Sequence, residues 1–153
     1  MSVFRHKVRL LIVVARLSTN DVTMVFRDEP TINAAVFEYY GCLQRVRAYV
    51  VTNFSSKISL DVVASIAGME KTYFSTFFHK KVGLPFTHWL SLIRLNAAME
   101  LLSRSDRSVS ETAYLVGFGD VRTFERQFKK HTRMTARQYK REVRKTLAAQ
   151  LMT

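Results

Sequence analysis

The chain has 153 residues, which is enough for one domain or two very small ones. Hydrophobic residues make up 48% of it, which excludes a disordered chain, and the five glycines and two prolines disfavour a turn-rich sandwich or barrel. The single cysteine, Cys42, excludes an internal disulfide and any zinc site built from several cysteines. The 24 basic and 12 acidic residues give a net charge of +12, which favours a polyanionic partner: nucleic acid first, an anionic membrane surface second.

The first 40 residues are nearly neutral, unlike the rest of the chain, since they hold five basic and four acidic residues. The apolar run 10–15 resembles a short signal peptide, but it is far shorter than the ~18–20 residues of a membrane span and no clean cleavage site follows it. Valine and isoleucine dominate the run, so we interpret it as a strand that pairs with 22–26 in a small β-hairpin. By contrast, the short stretch 121–145 holds ten basic and two acidic residues, which places a polyanion contact in the last third of the chain.

Helical periodicity begins after Pro30 and continues to the end of the chain. Ser59 is placed to cap a helix, and the patterns that begin at Ser108 and Thr135 are capping boxes. One helix or a pair of helices is predicted over about 32–54. The later predicted helices, in chain order, cover about 60–67, 71–81, 85–103, 108–117, 120–132 and 135–149.

An internal repeat is the most informative feature of the sequence. Its first part recurs 49 positions later and its second part 50 positions later; the matched pairs are Ser59 and Ser108, Ala64 and Ala113, Gly68 and Gly117, Phe74 and Phe124, Phe78 and Phe128, and Lys80 and Lys130. In each copy the alanine lets two helices cross closely, the glycine takes the positive φ of a tight turn, and the phenylalanine pair docks the second helix on the core. The sequence therefore predicts two helix-turn-helix motifs.

These motifs resemble the DNA-binding domain of the AraC/XylS family of transcriptional regulators over about residues 41–141. The matching segments include SLDVVASIAGM at 59–69, SVSETAYLVGFGD at 108–120 and FKK at 128–130. The resemblance implies an all-α fold of two helix-turn-helix subdomains joined by a long linker helix. It also implies a bacterial regulator of transcription, for which we expect an activator, although the residues themselves leave activation and repression open. The departures from the family pattern are Arg133 for Gly, Ala136 for Pro, Glu70 for Ser and Thr76 for Arg.

Helical geometry predicts which side chains face DNA. In the first recognition helix Phe74, Phe77 and Phe78 face inward, and in the second Phe124 and Phe128 do so. The opposite faces carry the expected base-reading residues, which are Thr72, Ser75, Thr76 and His79 in the first helix and Arg122, Glu125, Arg126 and Lys129 in the second. Arginine suits guanine, whereas hydroxyls and imidazole discriminate bases weakly, so we expect the second motif to supply more of the specificity.

Other charged residues are assigned to the DNA backbone or to the protein itself. Glu125 either accepts a hydrogen bond from a cytosine amine or pairs with Arg122 or Lys129, and we favour the pairing. Arg94 is either a structural anchor or a DNA contact, and Trp89 is expected in the core. The expected phosphate contacts are Lys71, Lys80, Lys81, Lys130, Arg137 and Lys140.

The predicted organisation is an N-terminal extension of unassigned role (1–40), a first subdomain (41–84), a linker helix (85–103) and a second subdomain (104–149). The linker would be a rod of ~28 Å, close to the ~34 Å between successive major grooves, so one chain could place both recognition helices, about 71–81 and 120–131, in neighbouring grooves. About 40 residues precede the resemblance, too few for a ligand-binding barrel. We therefore expect either a stand-alone regulator or a shortened one that lacks its sensor domain.

An enzyme is the main alternative class of protein, but the sequence offers few candidate catalytic residues. The four histidines lack metal-ligand spacing, and the sequence contains no P-loop, G-x-G-x-x-G or G-x-S-x-G motif. We therefore expect no enzymatic activity, no catalytic residues, no metal and no cofactor. The expected partners are promoter DNA and RNA polymerase, without a membrane, for a cytoplasmic, nucleoid-associated protein that binds as a monomer or dimerises through its N-terminal segment. The alternative function is non-specific binding of nucleic acid by a basic surface.

Overall fold

The computed structural model describes residues 32–33 and 35–152, and this part of the chain forms eight helices and no strand. The helices are α1 (Val36–Tyr39), α2 (Gly41–Asn53), α3 (Leu60–Ala67), α4 (Lys71–Val82), α5 (Phe86–Arg104), α6 (Val109–Leu115), α7 (Val121–Thr132) and α8 (Ala136–Leu151). The all-α prediction is confirmed, whereas the predicted hairpin over 10–26 lies outside the described residues. No helix in the described ranges is long and apolar enough to cross a membrane.

Local sequence signals place the helix ends close to where they were predicted. The Ser59 side chain accepts a hydrogen bond from the Val62 amide, and both predicted capping boxes, at Ser108 and at Thr135, are formed. Gly68 ends α3 in the left-handed region with a φ of 71°. Arg133 adopts the same left-handed conformation after α7, with a φ of 63°, where the family usually has glycine. The turn between α7 and α8 therefore forms even though the left-handed conformation is unfavourable for arginine, as it is for other residues with a Cβ atom.

The core is one continuous cluster that runs through both motifs. Phe74, Phe78, Phe124 and Phe128 are fully buried, as the repeat predicts. Trp89 is also buried, in agreement with its core assignment.

The core continues on the N-terminal side of the predicted boundary at residue 41. Phe37 of α1 is fully buried and stacks on Trp89, with ring centroids 5.1 Å apart. The amide of Asn33 donates to the carbonyl of Val82, which ties this segment to the end of α4.

One inward prediction is only partly correct. Phe77 is half-buried and its ring contacts Tyr40 and Tyr73, at centroid distances of 5.5 and 6.1 Å, at the edge of the core. The reason is its place on the helix, about 60° round from Phe74, where the helix surface turns toward solvent.

The two motifs meet directly beside Arg94 of α5. Arg94 donates from Nε to the carbonyl of Phe54 at 2.8 Å and from Nη2 to the carbonyl of Ser56 at 2.9 Å, and its burial lowers the pKa of the guanidinium. Gly117, with a φ of 97°, brings the turn of the second motif against the same carbonyl. Arg94 is therefore a structural anchor, the first of the two roles predicted for it.

Candidate nucleic-acid interface

The exposed face of α4 carries the side chains predicted to read bases. Thr72, Ser75, Thr76 and His79 are all exposed. The Thr76 hydroxyl donates to the Thr72 carbonyl at 3.2 Å, so it meets a partner molecule chiefly as an acceptor. This face carries hydroxyls and one imidazole but no fixed cation.

The N-terminus of α4 is capped by a carboxylate. Glu70 Oε2 accepts from the amides of Thr72 and Tyr73 at 2.8 and 3.1 Å, and these hydrogen bonds lower the pKa of Glu70. The negative charge of Glu70 also stabilises the positive end of the helix dipole.

A cluster of aromatic side chains along one side of α4 was not predicted from the sequence. Tyr73 is 61% exposed and stacks on Phe77 with an interplanar angle of 23°. Tyr40 also contacts Phe77, in a T-shaped arrangement, and the ammonium of Lys81 lies 5.1 Å from the Tyr40 ring centroid. The signal was available, because Tyr73 lies next to the exposed Thr72 and one turn before Phe77.

The exposed face of α7 has the opposite character. Arg122, Arg126 and Lys129 are exposed, as is Glu125 between them. Neither Arg122 nor Lys129 comes within 4.0 Å of the Glu125 carboxylate, so the pairing that we favoured from the sequence is not formed in the structure. The three cations are thus exposed, and none forms an ion pair with another described residue.

The start of α7 is also capped by a carboxylate. Asp120 Oδ1 accepts from the Thr123 amide at 2.7 Å, which lowers the pKa of Asp120. Capping holds the first turn of the helix, and with it Arg122, in a defined orientation.

The six expected phosphate contacts fall into two groups. Lys80, Lys130 and Arg137 are exposed and form no ion pair within the described residues. The other three are already engaged inside the protein: Lys71 with Asp61 at 3.0 Å, Lys81 with the Tyr40 ring, and Lys140 with the carbonyl of Arg107. A phosphate would have to displace or share those contacts.

The described part of the chain contains no group of three or more histidine, cysteine or acidic side chains placed to hold a metal ion. What the geometry does define is a pair of capped, exposed helices, α4 and α7, held on one core. The described part of the chain is thus all-α and contains two helix-turn-helix motifs.

Residues 63–142 match the helix-turn-helix domain family, and the chain belongs to that family in its AraC-type form. The chain is 31% identical over 99 residues to an uncharacterized HTH-type transcriptional regulator in the cgkA 5′ region of Pseudoalteromonas carrageenovora, over 65% of this chain and 58% of that protein. It is 29% identical to the regulatory protein PocR of Salmonella typhimurium, over 66% of this chain and 33% of PocR. The chain therefore matches only part of the length of these relatives.

Solved structures agree with the family assignment. The C-terminal domain of AraT, a response regulator from Geobacillus stearothermophilus, is 30% identical, with a TM-score of 0.62 over 67% of this chain and 85% of that one. The DNA-binding domain of AdpA, solved in complex with a target DNA, is 24% identical, with a TM-score of 0.64 over 67% of this chain and 93% of that one, and shows the shared fold alone.

Proposed function

We propose that this protein binds double-stranded promoter DNA in a sequence-specific manner and regulates transcription, with α4 and α7 in successive major grooves. The observation that carries the proposal is the exposed face of α7, which begins at the cap residue Asp120 and carries Arg122, Arg126 and Lys129; none of the three forms an ion pair within the described residues. Exposed arginines on a recognition helix suit bidentate contact with the O6 and N7 atoms of guanine.

The linker and the contact at Arg94 support binding by a single chain. Helix α5 has 19 residues, which corresponds to about 28 Å, a little less than the ~34 Å between successive major grooves. The hydrogen bonds of Arg94 and the close approach of Gly117 to Phe54 hold the two motifs at a set spacing. The DNA would bend toward the protein to bring both grooves into register.

The two motifs contribute unequally in this proposal. Thr76 and Arg126 occupy equivalent places in the repeat, but only Arg126 brings a fixed charge and a bidentate donor set. We expect Arg126→Ala to cost about 1–3 kcal/mol of discrimination at one base pair and Thr76→Ala to cost less. Equal losses on a defined site would contradict this assignment.

The wider role follows from the same proposal. A regulator of bacterial promoters acts in the cytoplasm, at the nucleoid, and RNA polymerase is its expected partner. We assign binding as a monomer, because both motifs belong to one chain. The named relatives are transcriptional regulators or regulatory proteins, which agrees with this role.

The experiment is selection from random duplexes of about 30 base pairs at about 150 mM salt, followed by sequencing of the bound pool. Two enriched blocks about one helical turn apart would support reading by both motifs. The net charge of +12 favours a second candidate, non-specific binding to nucleic acid, and tight binding that depends on salt but enriches no sequence would support that one instead.

A further inference from the structure

The flank of the second recognition helix that faces the linker helix forms an open cleft. It has a volume of about 340 Å³, near the lower end of the range for small-molecule sites. Helix α5 supplies one wall and α7 the other; the lining residues are Thr87, His88, Ser91, Arg126, Gln127, Lys130 and His131.

The repeat shows that this cleft is a difference between the motifs and not a consequence of the fold. Gln127 lies 50 positions after Phe77, and Lys130 lies 50 positions after Lys80. In the first motif the Phe77 ring contacts the rings of both Tyr40 and Tyr73, so aromatic side chains occupy this flank of the helix. In the second motif the side-chain amide of Gln127 stands where the first motif has the Phe77 ring, and this flank of the helix lines the cleft.

The chemistry of the walls is that of an anion site. Arg126 and Lys130 are exposed cations that form no ion pair in the part of the chain that the structure describes, and Gln127 adds an amide donor. The hydroxyl of Ser91 donates to the carbonyl of Thr87 at 3.0 Å, so Ser91 lines the cleft but its hydroxyl proton is not available to a bound anion. Among the described residues no acidic side chain lines the cleft, and the rings of His88 and His131 contact each other in it at a centroid distance of 5.4 Å.

We propose that this cleft binds a phosphate group, held by Arg126 and Lys130 and closed on one side by the two histidines. The phosphate comes either from a free phosphate or small phosphate ester or from the backbone of bound DNA. Since Arg126 also belongs to the base-reading face, an occupied cleft changes how α7 meets DNA, and that consequence rests on the proposed function. Binding of free phosphate does not depend on it.

The test uses the ring-proton NMR signals of His88 and His131 in the full chain. Inorganic phosphate is titrated over the millimolar range against chloride of equal ionic strength. We expect a saturable shift with phosphate alone, weakened about tenfold or more in Lys130→Gln because a charge-assisted hydrogen bond is lost. Lys80→Gln removes the equivalent lysine of the first motif, where the flank is filled, and should leave the titration unchanged.

A second variant separates the two sources of phosphate. Gln127→Phe copies the residue of the first motif and should fill the cleft. If the histidine signals respond only to duplex DNA, and this variant lowers the salt dependence of DNA binding by about one phosphate contact, the backbone is the source. If neither phosphate nor duplex moves the signals in the wild-type chain, the site is overturned. A phosphate shift in a protein that selects no DNA sequence would leave the site standing and count against the proposed function alone.

Discussion

Replacing Gly117 with alanine perturbs the point where the two motifs meet. An L residue at a φ of 97° is strained by about 1–2 kcal/mol. A Cβ atom there would also lie 2.7 Å from the Phe54 carbonyl oxygen and 3.0 Å from Arg94 Nε. Those two atoms form the 2.8 Å hydrogen bond of the anchor, and loss of such a charge-assisted bond costs about 1.5–3 kcal/mol. After allowance for the reduced entropy of the unfolded chain, we expect Gly117→Ala to cost about 2–4 kcal/mol.

Substitutions at two other glycines distinguish the cost of backbone strain from the cost of a steric clash of the new Cβ atom. Gly68 has a φ of 71° but no atom within 4 Å of its Cβ position, so Gly68→Ala should cost only about 1 kcal/mol. Gly119 has neither the positive φ nor a neighbour, so Gly119→Ala should change the free energy of unfolding by no more than ~0.5 kcal/mol. Urea denaturation followed by circular dichroism measures all three. The larger side chain of Gly117→Val should unfold the second motif.

A double-mutant cycle tests the route of the effect. If the new Cβ acts through the hydrogen bond between Arg94 and Phe54, Gly117→Ala should cost less in a chain that already carries Arg94→Ala. Should Gly117→Ala be no more destabilising than Gly68→Ala, or its cost be additive with that of Arg94→Ala, the close approach would not be what constrains this turn.

Three further predictions concern the last turn, the helix caps and the N-terminal segment. Arg133→Gly should raise the free energy of unfolding by roughly 1 kcal/mol, because glycine takes a φ of 63° without strain; a loss in urea denaturation would show that the arginine side chain outweighs the strain. Hydrogen bonds to amides lower the pKa of Glu70, Glu111 and Asp120 in the folded state, so their stabilisation is complete above the ordinary carboxyl pKa values and is lost as pH falls through the lowered ones. Thermal unfolding of the wild type and Glu70→Gln from pH 7 to 3 checks this: the variant should lose less stability on acidification, and parallel curves would exclude Glu70 as a contributor. Deletion of residues 1–30 should leave DNA affinity unchanged in a mobility-shift assay, and lost binding by a folded protein would place that segment in the binding unit.

The sequence predicted the helices well because their ends depend on neighbours in the chain. A serine that caps its own helix three residues on, as Ser59 does, carries its signal within one turn. The same holds for the capping boxes at Ser108 and Thr135. Repetition then reinforced each assignment, since a pattern found twice at a constant spacing is hard to meet by chance.

The candidate site was predictable in outline but not in its partners. Helical periodicity placed the faces of α4 and α7 in solvent, as the structure has them. It could not show that Lys71 is paired with Asp61 or that Lys140 is bonded to the carbonyl of Arg107, 33 positions away. Nor could it show that Glu125 lacks its expected partner, since both a paired and an unpaired rotamer fit the same spacing.

The sequence by itself thus determined the helix class, the helix ends, the doubled motif and the two outward faces, because each depends on contacts within a few residues. Only the tertiary structure decided how the motifs sit together. Arg94 donates a hydrogen bond to the carbonyl of Phe54, 40 positions away, and Gly117 approaches the same carbonyl. The cleft lies beside Gln127, whereas Phe77 and its aromatic contacts occupy the equivalent place in the first motif. Such contacts depend on the paths of several connecting segments at once, and no short pattern in the chain encodes them.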